Sequence, residues 1–284
     1  MRFLLFAVVT LFVSGLSFQP PARVRASLEE LQTVEAVGAA QGLEFRDGKL
    51  YIIGDAEVGV LREYTIENNC ALKFTGRAAR LTVGGQDKLA HPTGLTFHPQ
   101  LGTWLGNTVN RKGNIVLLDW EKLLQQGTLD DAIKHEVADD AAVNGTRPEF
   151  VELGSKWFLA SSDYGDQGNQ IRLYDPQRLA KATKTSEPGV LVHKFPCGAW
   201  VQSLHWIAEK GWLVLVQNQI EGLKWRLTFV DLKRSVASGK AEIVQTIDFA
   251  PQDELEGFHM IGKKRGMLIS SSRARNFAFV EFGW

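Results

Sequence analysis

An internal repeat constrains the fold of this 284-residue chain more than any other feature. A short apolar segment recurs five times, and its centres are spaced by 52, 55, 54 and 54 residues. The centres are Gly42, Gly94, Glu149, Ser203 and Gly257. A second, nearly continuous apolar segment follows each centre, as expected of strands that are buried on both faces. An even period of this length is typical of a fold built from stacked repeating sheets.

The rest of each repeat predicts two more strands. Third segments end in an acid that recurs every 56 residues, at Asp119, Asp175 and Asp231, and we expect these acids to cap short helices. More polar fourth segments follow at residues 80–83, 134–137, 190–194 and 243–247. The fifth repeat stops at Trp284, so residues 31–34 are predicted to supply its last strand. The sequence thus predicts an all-β, five-bladed β-propeller with four antiparallel strands per blade, closed by an N-terminal strand.

The N-terminus has the layout of a signal peptide. Arg2 precedes an apolar run over residues 3–13, and small residues suited to cleavage lie at 13–15 and 24–26. The run is too short for a transmembrane helix, and no second long apolar run follows. We therefore expect a signal peptide at 1–26, one propeller domain at 27–284, secretion or export to the periplasm, no stable membrane anchor and a monomer.

The charge composition and the cysteine positions limit the binding partners and the cross-links that we expect. The chain has 32 basic and 32 acidic residues and no long basic run, which argues against nucleic acid as a partner. Cys70 and Cys197 fall on opposite faces of non-adjacent blades, so we expect two free thiols rather than a disulfide. The predicted partner is a small molecule or a carbohydrate.

Function is expected at one mouth of the central channel, where the loops entering first strands and leaving second strands meet. An anion-binding acid/base site is one possibility, since arginine grips carboxylates and histidine titrates near neutrality. The candidate catalytic residues are His91, Arg147, Asp163, Tyr164 and Glu256. The candidate substrate-binding residues are Gln41, Trp200, Gln202 and Arg273.

Two other possibilities use the same mouth. Second strands end on polar residues, and oxygens of Asn107, Asp163, Asn218 and Glu256 are candidate ligands of calcium or another divalent cation. The alternative is a ring of polar groups that bond each other and channel water. Carboxylates such as Glu149 and Glu256 also suit glycoside hydrolysis. By contrast, His205 and His259 lie inside first strands and are expected to be core residues.

Three short segments carry a family resemblance. They are QGL at residues 41–43, DGKLYI at 47–52 and EGF at 256–258. They resemble the opening of blades in the gluconolactonase and paraoxonase-like superfamily and in the phytase-like esterase-type propellers. The resemblance implies that Glu256, the acid before the glycine, helps bind a divalent cation, whereas Gln41 replaces that acid in the first blade.

Two functional hypotheses follow. The first is a secreted hydrolase of the lactonase or esterase kind, or a lyase, that acts on a small or carbohydrate-derived substrate. The second is a non-catalytic propeller that binds a ligand or a protein at the same mouth. Convergence of Glu256, Asn218, Asp163 and His91 within a few ångströms distinguishes them, because catalysis requires it.

Overall fold

The computed structural model describes residues 24–284 except 69, 219–221, 223 and 252. The predicted signal peptide lies almost entirely outside the described residues. Five four-stranded antiparallel sheets form a closed ring, and the first strand of each sheet contacts the first strands of its two neighbours. The five-bladed propeller predicted from the repeat is therefore confirmed.

The first two blades include one extra hairpin. The chain begins with β1 (Arg25–Leu28), and blade one contains β2 (Ala39–Arg46), β3 (Lys49–Asp55), β4 (Gly59–Ile66) and β5 (Leu72–Arg80). The hairpin that follows consists of β6 (Thr82–Val83) and β7 (Gln86–Asp87). Blade two contains β8 (Pro92–His98), β9 (Gly102–Val109), β10 (Lys112–Leu118) and, after α1 (Trp120–Gln126), β11 (Ile133–Asp139).

The other three blades share one plan. Blade three contains β12 (Glu149–Leu153), β13 (Lys156–Ser162), β14 (Gln170–Tyr174), α2 (Pro176–Leu179) and β15 (Leu191–Pro196). Blade four contains β16 (Val201–Ile207), β17 (Trp212–Gln217), β18 (Trp225–Asp231), α3 (Leu232–Ser238) and β19 (Ile243–Phe249). Blade five contains β20 (Leu255–Met260), β21 (Arg265–Ser270), β22 (Phe277–Gly283) and, as its outer strand, β1.

The closing strand lies earlier in the chain than the sequence predicted. Arg25 pairs with Gly283 and Leu28 with Val280, whereas residues 31–34 contribute one isolated bridge, from Gln32 to Phe277. The reason is geometric, because residues 29–38 must carry the chain from the outer edge of blade five to the inner strand of blade one. Asn276 holds this crossing by bonding the backbone N–H and C=O of Val34 at 2.8 and 3.1 Å.

The fourth strand of blade one was also misplaced by the sequence. It spans Leu72–Arg80, so of the predicted residues 80–83 only Arg80 lies in it, and Thr82–Val83 form the first strand of the small hairpin. Nearly all of β5 is exposed, so it carries no apolar pattern that marks its position. The other three predicted fourth strands overlap the observed ones.

Burial of the second strands holds the blades together. Leu50, Ile52 and Ile53 of β3 are fully buried, and the equivalent residues of the other blades fill clusters between neighbouring sheets. The three recurring aspartates cap α1, α2 and α3, as predicted; Asp231, for example, accepts the Arg234 N–H at 2.9 Å. Both cysteines are free. Among the described residues, no helix is long and apolar enough to cross a membrane.

Candidate functional site

The channel has two ends with different chemistry. We call the end where first strands begin and second strands finish the upper mouth, and the opposite end the lower chamber. Glycines narrow the channel between them: a Cβ added to Gly257 would lie 3.1 Å from the Cα of Gly42, and one on Gly94 would lie 3.0 Å from Pro148. Inner strands therefore approach too closely at this level for larger residues.

β-Bulges aim polar side chains at the upper mouth. The pairing register of the inner strands shifts around Gln41, Gln202 and Glu256, and also between Pro92 and Leu95. A bulge re-aims its extra residue, which is how the sequence-predicted Gln202 and Glu256 come together. The Gln202 amide donates to Glu256 Oε1 at 2.8 Å.

Glu256 is a buried carboxyl whose protonated form is favoured by its surroundings. Only 1% of the residue is exposed. Burial raises the pKa of Glu256 well above its usual range; the neighbouring Glu254 adds to the effect, and Arg147 opposes it. A carboxyl group in its protonated form can donate a hydrogen bond or act as a general acid.

Arg147 is a buried cation without an ion pair. It is 2% exposed, Nη1 donates to the Asn144 carbonyl at 3.5 Å, and Nε has no partner among the described residues. No carboxylate of the described chain lies within 4.0 Å of the guanidinium, which packs 5.1 Å from the centre of the Tyr164 ring. Burial lowers the pKa of Arg147 to about 10, and Glu256 contributes most to raising it again. Because a pKa near 10 lies well above 7, the side chain stays charged at neutral pH.

Asp163 is fully engaged in holding the upper mouth together. Its Oδ1 accepts the N–H groups of Val143 and Asn144 at 2.7 and 3.0 Å. Its Oδ2 accepts the Gln170 N–H at 3.0 Å and Arg172 Nη1 at 2.6 Å. Four donors occupy both oxygens of this buried carboxylate. The structure thus assigns Asp163 to the scaffold rather than to acid/base or metal chemistry.

Aromatic and amide side chains border the same mouth. The Trp200 carbonyl accepts the Asn218 N–H at 3.2 Å, and the Trp200 ring lies 5.2 Å from that of Tyr164. Asn218 is completely buried, and neither of its side-chain polar atoms has a hydrogen-bond partner within the described chain. Burial raises the pKa of Tyr164 to about 12, so its phenol remains protonated.

Three predicted residues lie apart from this group. His91 pairs with Asp55 at 3.4 Å on the rim between blades one and two. Arg273 is exposed in the β21–β22 loop. Asn107 is buried in blade two, where Nδ2 donates to the Ala90 carbonyl at 3.4 Å and Oδ1 has no partner in the described chain. The structure therefore gathers Arg147, Tyr164, Trp200, Gln202, Asn218 and Glu256, whereas Gln41 is buried at the bulge of β2.

The lower chamber was not expected from the sequence. One polar residue from each inner strand contributes to a ring: Glu44, Thr96, Glu149, His205 and His259. Glu149 was predicted at the upper mouth, but its Oε1 accepts the Trp206 N–H at 3.1 Å and lies 3.8 Å from His205 Nδ1. His259 Nδ1 lies 3.6 Å from Glu44 Oε2, and the two imidazole rings are 4.5 Å apart. These histidines were expected to be core residues; in the structure they line a cavity of about 460 Å³.

Burial favours the neutral form of all four ionisable groups in this ring. Burial raises the pKa of Glu149 to about 8. It also raises the pKa of Glu44 well above its usual range, and the nearby Glu149 raises the pKa of Glu44 further. Burial lowers the pKa of His259 to about 4 and that of His205 well below its usual range. A signal was present in the sequence, because in four repeats the polar residue lies two positions after the centre.

A metal ligand set is not evident in the described part of the chain. No group of three or more His, Cys, Asp or Glu side chains there is arranged to hold a metal ion. Cys197 is likewise no candidate nucleophile, because burial raises the pKa of its thiol to about 12.

Comparisons with known proteins identify the fold alone. No protein-family model matches the chain, and no curated protein sequence is similar to it. The PQQ-bound aldose sugar dehydrogenase of Streptomyces coelicolor is similar in structure, with a TM-score of 0.53, 15% identity, and coverage of 93% of this chain and 100% of that one.

Two further solved structures are more distant. Hydrazine synthase of Kuenenia stuttgartiensis has a TM-score of 0.43, 13% identity, and coverage of 84% of this chain. A protein of unknown function from Desulfotomaculum acetoxidans has a TM-score of 0.41, 15% identity, and coverage of 75% of this chain. The chain spans 57% and 62% of these two proteins.

Proposed function

We infer that this protein recognises a small anionic molecule, a carboxylate or a phosphate ester, at the upper mouth, with Arg147 as the anchor. The observation that carries the proposal is the contrast between two buried arginines. Arg172 bonds Asp163 at 2.6 Å and lies 3.8 Å from Asp139, so its charge is compensated within the protein. Arg147 has no such partner among the described residues. A buried charge without a counter-ion is costly, and an anionic ligand would compensate it.

The neighbours of Arg147 suit a polar, ring-shaped ligand. Trp200 and Tyr164 offer aromatic surface on which a sugar ring can stack, and Asn218 offers a donor and an acceptor that the described chain does not use. A uronic acid or a sugar phosphate combines both features. Such a ligand also agrees with the carbohydrate partner expected from the sequence.

If the protein is an enzyme, Glu256 is the residue that would carry out acid/base catalysis. Burial and the neighbouring Glu254 favour the protonated form of Glu256 beside the proposed anion site, and in that form Glu256 can act as a general acid toward a bound lactone, ester or uronic acid. Hydrolase or lyase activity therefore rests on Glu256, while ligand binding rests on Arg147. A Glu256→Gln variant separates the two, since it should keep ligand affinity and lose turnover.

Calcium is the competing occupant of the upper mouth. The unpartnered side-chain oxygen of Asn218 favours it. The buried guanidinium of Arg147 opposes it, because a second cation beside an uncompensated one is repelled strongly in a site shielded from water. We therefore favour the anion, with a divalent cation such as calcium as the alternative.

Export remains part of the proposal. β1 begins at Arg25, so signal-peptide cleavage after Ala26 would remove two residues of the closing strand, whereas cleavage near residues 13–15 leaves it intact. We favour the earlier site. Mass spectrometry of the mature N-terminus after expression in a secreting host distinguishes the two.

The test of the proposed function is ligand binding by calorimetry. D-Glucuronate and D-glucose 6-phosphate should bind the wild-type protein, and D-glucose should bind much more weakly. Arg147→Gln should weaken anion binding roughly 100-fold, since it removes a charge-assisted bond in a buried site. Arg273→Gln is the matched control on the same face. Equal loss in both variants, or equal binding of D-glucose, would contradict the proposal.

A further inference from the structure

The lower chamber holds two carboxyl groups that lack a cationic partner. Within the described chain, no lysine or arginine nitrogen lies within 4.0 Å of Glu44 or Glu149. The guanidinium of Arg46, the nearest arginine in sequence, lies 3.4 Å from the centre of the Phe97 ring and bonds Asp47 at 3.1 Å; its charge lowers the pKa of Glu44, but by less than burial raises it. The two carboxyl groups therefore have no lysine or arginine of the described residues in ion-pair contact, and burial favours their protonated form.

The histidines of the chamber do not supply the missing charge. His205 Nε2 accepts the Met260 N–H at 3.1 Å, and His98 Nδ1 accepts the N–H groups of Gln100 and Leu101, each at 3.2 Å. A ring nitrogen that accepts a hydrogen bond cannot carry a proton, so both rings are fixed in the neutral form. Burial also lowers the pKa values of His205 and His98, which favours the neutral rings as well.

The walls of the chamber are aromatic. Trp157, Trp206 and Trp284 line the cavity of about 460 Å³, and Trp206 Nε1 has no acceptor within the described chain. Indole faces attract ammonium groups. The protein itself shows this contact at the rim, where Lys210 Nζ lies 5.4 Å from the centre of the Trp284 ring. The other rim lysine, Lys263, pairs with Glu209 at 3.8 Å.

We propose that the lower chamber binds an organic ammonium ion that also carries a hydroxyl or carbonyl oxygen. The ammonium group is held between the tryptophan rings and the carboxylates of Glu44 and Glu149, and the oxygen accepts the Trp206 indole N–H. Binding breaks an O–H bond of a buried carboxyl and releases the proton to the buffer, while the ligand stays chemically unchanged. The proposal concerns a different end of the channel from the proposed function and does not depend on it.

The test compares choline with its neutral isostere, 3,3-dimethylbutan-1-ol, by isothermal titration calorimetry at pH 7. Choline should bind, and titrations in two buffers of different ionisation enthalpy should show proton release. The affinity of the alcohol should be at least about 10-fold lower than that of choline, because the alcohol lacks the charge that the chamber recognises. Equal affinity for the two compounds, or binding of neither, overturns the proposal.

Variants locate the site. Glu44→Gln and Glu149→Gln preserve the shape of a protonated carboxyl, so both should fold, and each should lower choline affinity about 10-fold and reduce proton release. Glu256→Gln at the upper mouth is the matched control and should leave choline binding unchanged. Undiminished choline binding in the Glu44→Gln/Glu149→Gln double variant contradicts the proposal. So does binding of the neutral D-glucose to the wild-type protein if Glu149→Gln abolishes it. Proton release by the wild-type protein provides a readout that does not depend on any variant folding.

Discussion

The two ends of the channel hold buried ionisable groups of opposite kind, and neither end pairs them with an oppositely charged side chain among the described residues. At the upper mouth, Arg147 is a buried cation without a carboxylate within 4.0 Å in the described chain, whereas Glu44 and Glu149 in the lower chamber lack a lysine or arginine at that distance. The two ends differ in whether the buried group can become neutral by gaining or losing a proton near pH 7. Glu149, with a pKa near 8, holds its proton at neutral pH, while Arg147, with a pKa near 10, cannot release one. An anionic ligand would therefore compensate Arg147 at the upper mouth, whereas the charge of the lower chamber should depend on pH.

The largest expected effect comes from breaking the compensated arginine. Asp163→Asn leaves Arg172 buried without its closest partner, so we expect a loss of about 3–5 kcal/mol in the free energy of unfolding, measured by urea denaturation. The matched control is Asp175→Asn at the start of α2. Asparagine caps helices as well as aspartate does, so its expected effect is near zero. A similar, small effect of both substitutions would show that the Asp163–Arg172 contact does not support the fold.

The lower chamber should make stability depend on pH. Between about pH 6.5 and 8, folded Glu149 holds a proton that the unfolded chain has released, so the free energy of unfolding should fall as pH rises; the raised pKa of Glu44 acts in the same direction. The histidines act in a lower window: His259, with a pKa near 4, makes stability rise from about pH 4 to 6.5. Glu149→Gln should remove about 1–2 kcal/mol of the fall above pH 6.5.

Glu256 at the upper mouth and Glu44 also have raised pKa values, so a reduced slope should persist in the Glu149→Gln variant. Thermal melts of wild type and variant at pH 6.5, 7.2 and 8 measure the difference. Parallel curves for the two proteins would contradict the buried, protonated state of Glu149.

Arg147→Met should change stability little. The substitution removes an uncompensated buried charge and keeps apolar volume, so we expect the free energy of unfolding to rise or to fall by less than about 1 kcal/mol. This outcome sharpens the comparison with Arg172, whose loss should be costly. If Arg147→Met destabilises the protein as much as Asp163→Asn does, Arg147 belongs to the scaffold and the anion site loses its main support.

Calcium should have the smallest effect. With Arg147 uncompensated, we expect the melting temperature in 5 mM CaCl₂ to match that in EDTA within about 1 °C. A larger stabilisation that disappears in Glu256→Gln would instead support the divalent cation site implied by the family resemblance.

The sequence was most informative where one residue type repeats. The even spacing of the apolar segments predicted five blades, and the recurring Asp119, Asp175 and Asp231 predicted three helix caps. It was least informative at edges. The exposed β5 has no apolar pattern, and β1 is too short and mixed in composition to stand out from residues 31–34.

The site was predicted in part for a related reason. Loops at the ends of buried strands pointed to Arg147, Tyr164, Trp200 and Glu256, which the structure brings together. Spacing alone did not show that Asp163 is saturated by four donors, because its partners come from residues 143–144, 170 and 172. Nor did it show that Glu149 faces the lower chamber. Blade three lacks the bulge that shifts the register in the other inner strands, so its acid falls at a different level.

A crossed binding measurement tests the central claim most directly. D-Glucuronate and choline are titrated into Arg147→Gln and into Glu149→Gln by calorimetry at pH 7. Two independent sites of opposite preference predict that Arg147→Gln loses D-glucuronate and retains choline, and that Glu149→Gln shows the reverse. Loss of both ligands in either variant, or retention of both in both variants, would contradict the assignment of an anion to the upper mouth and a cation to the lower chamber.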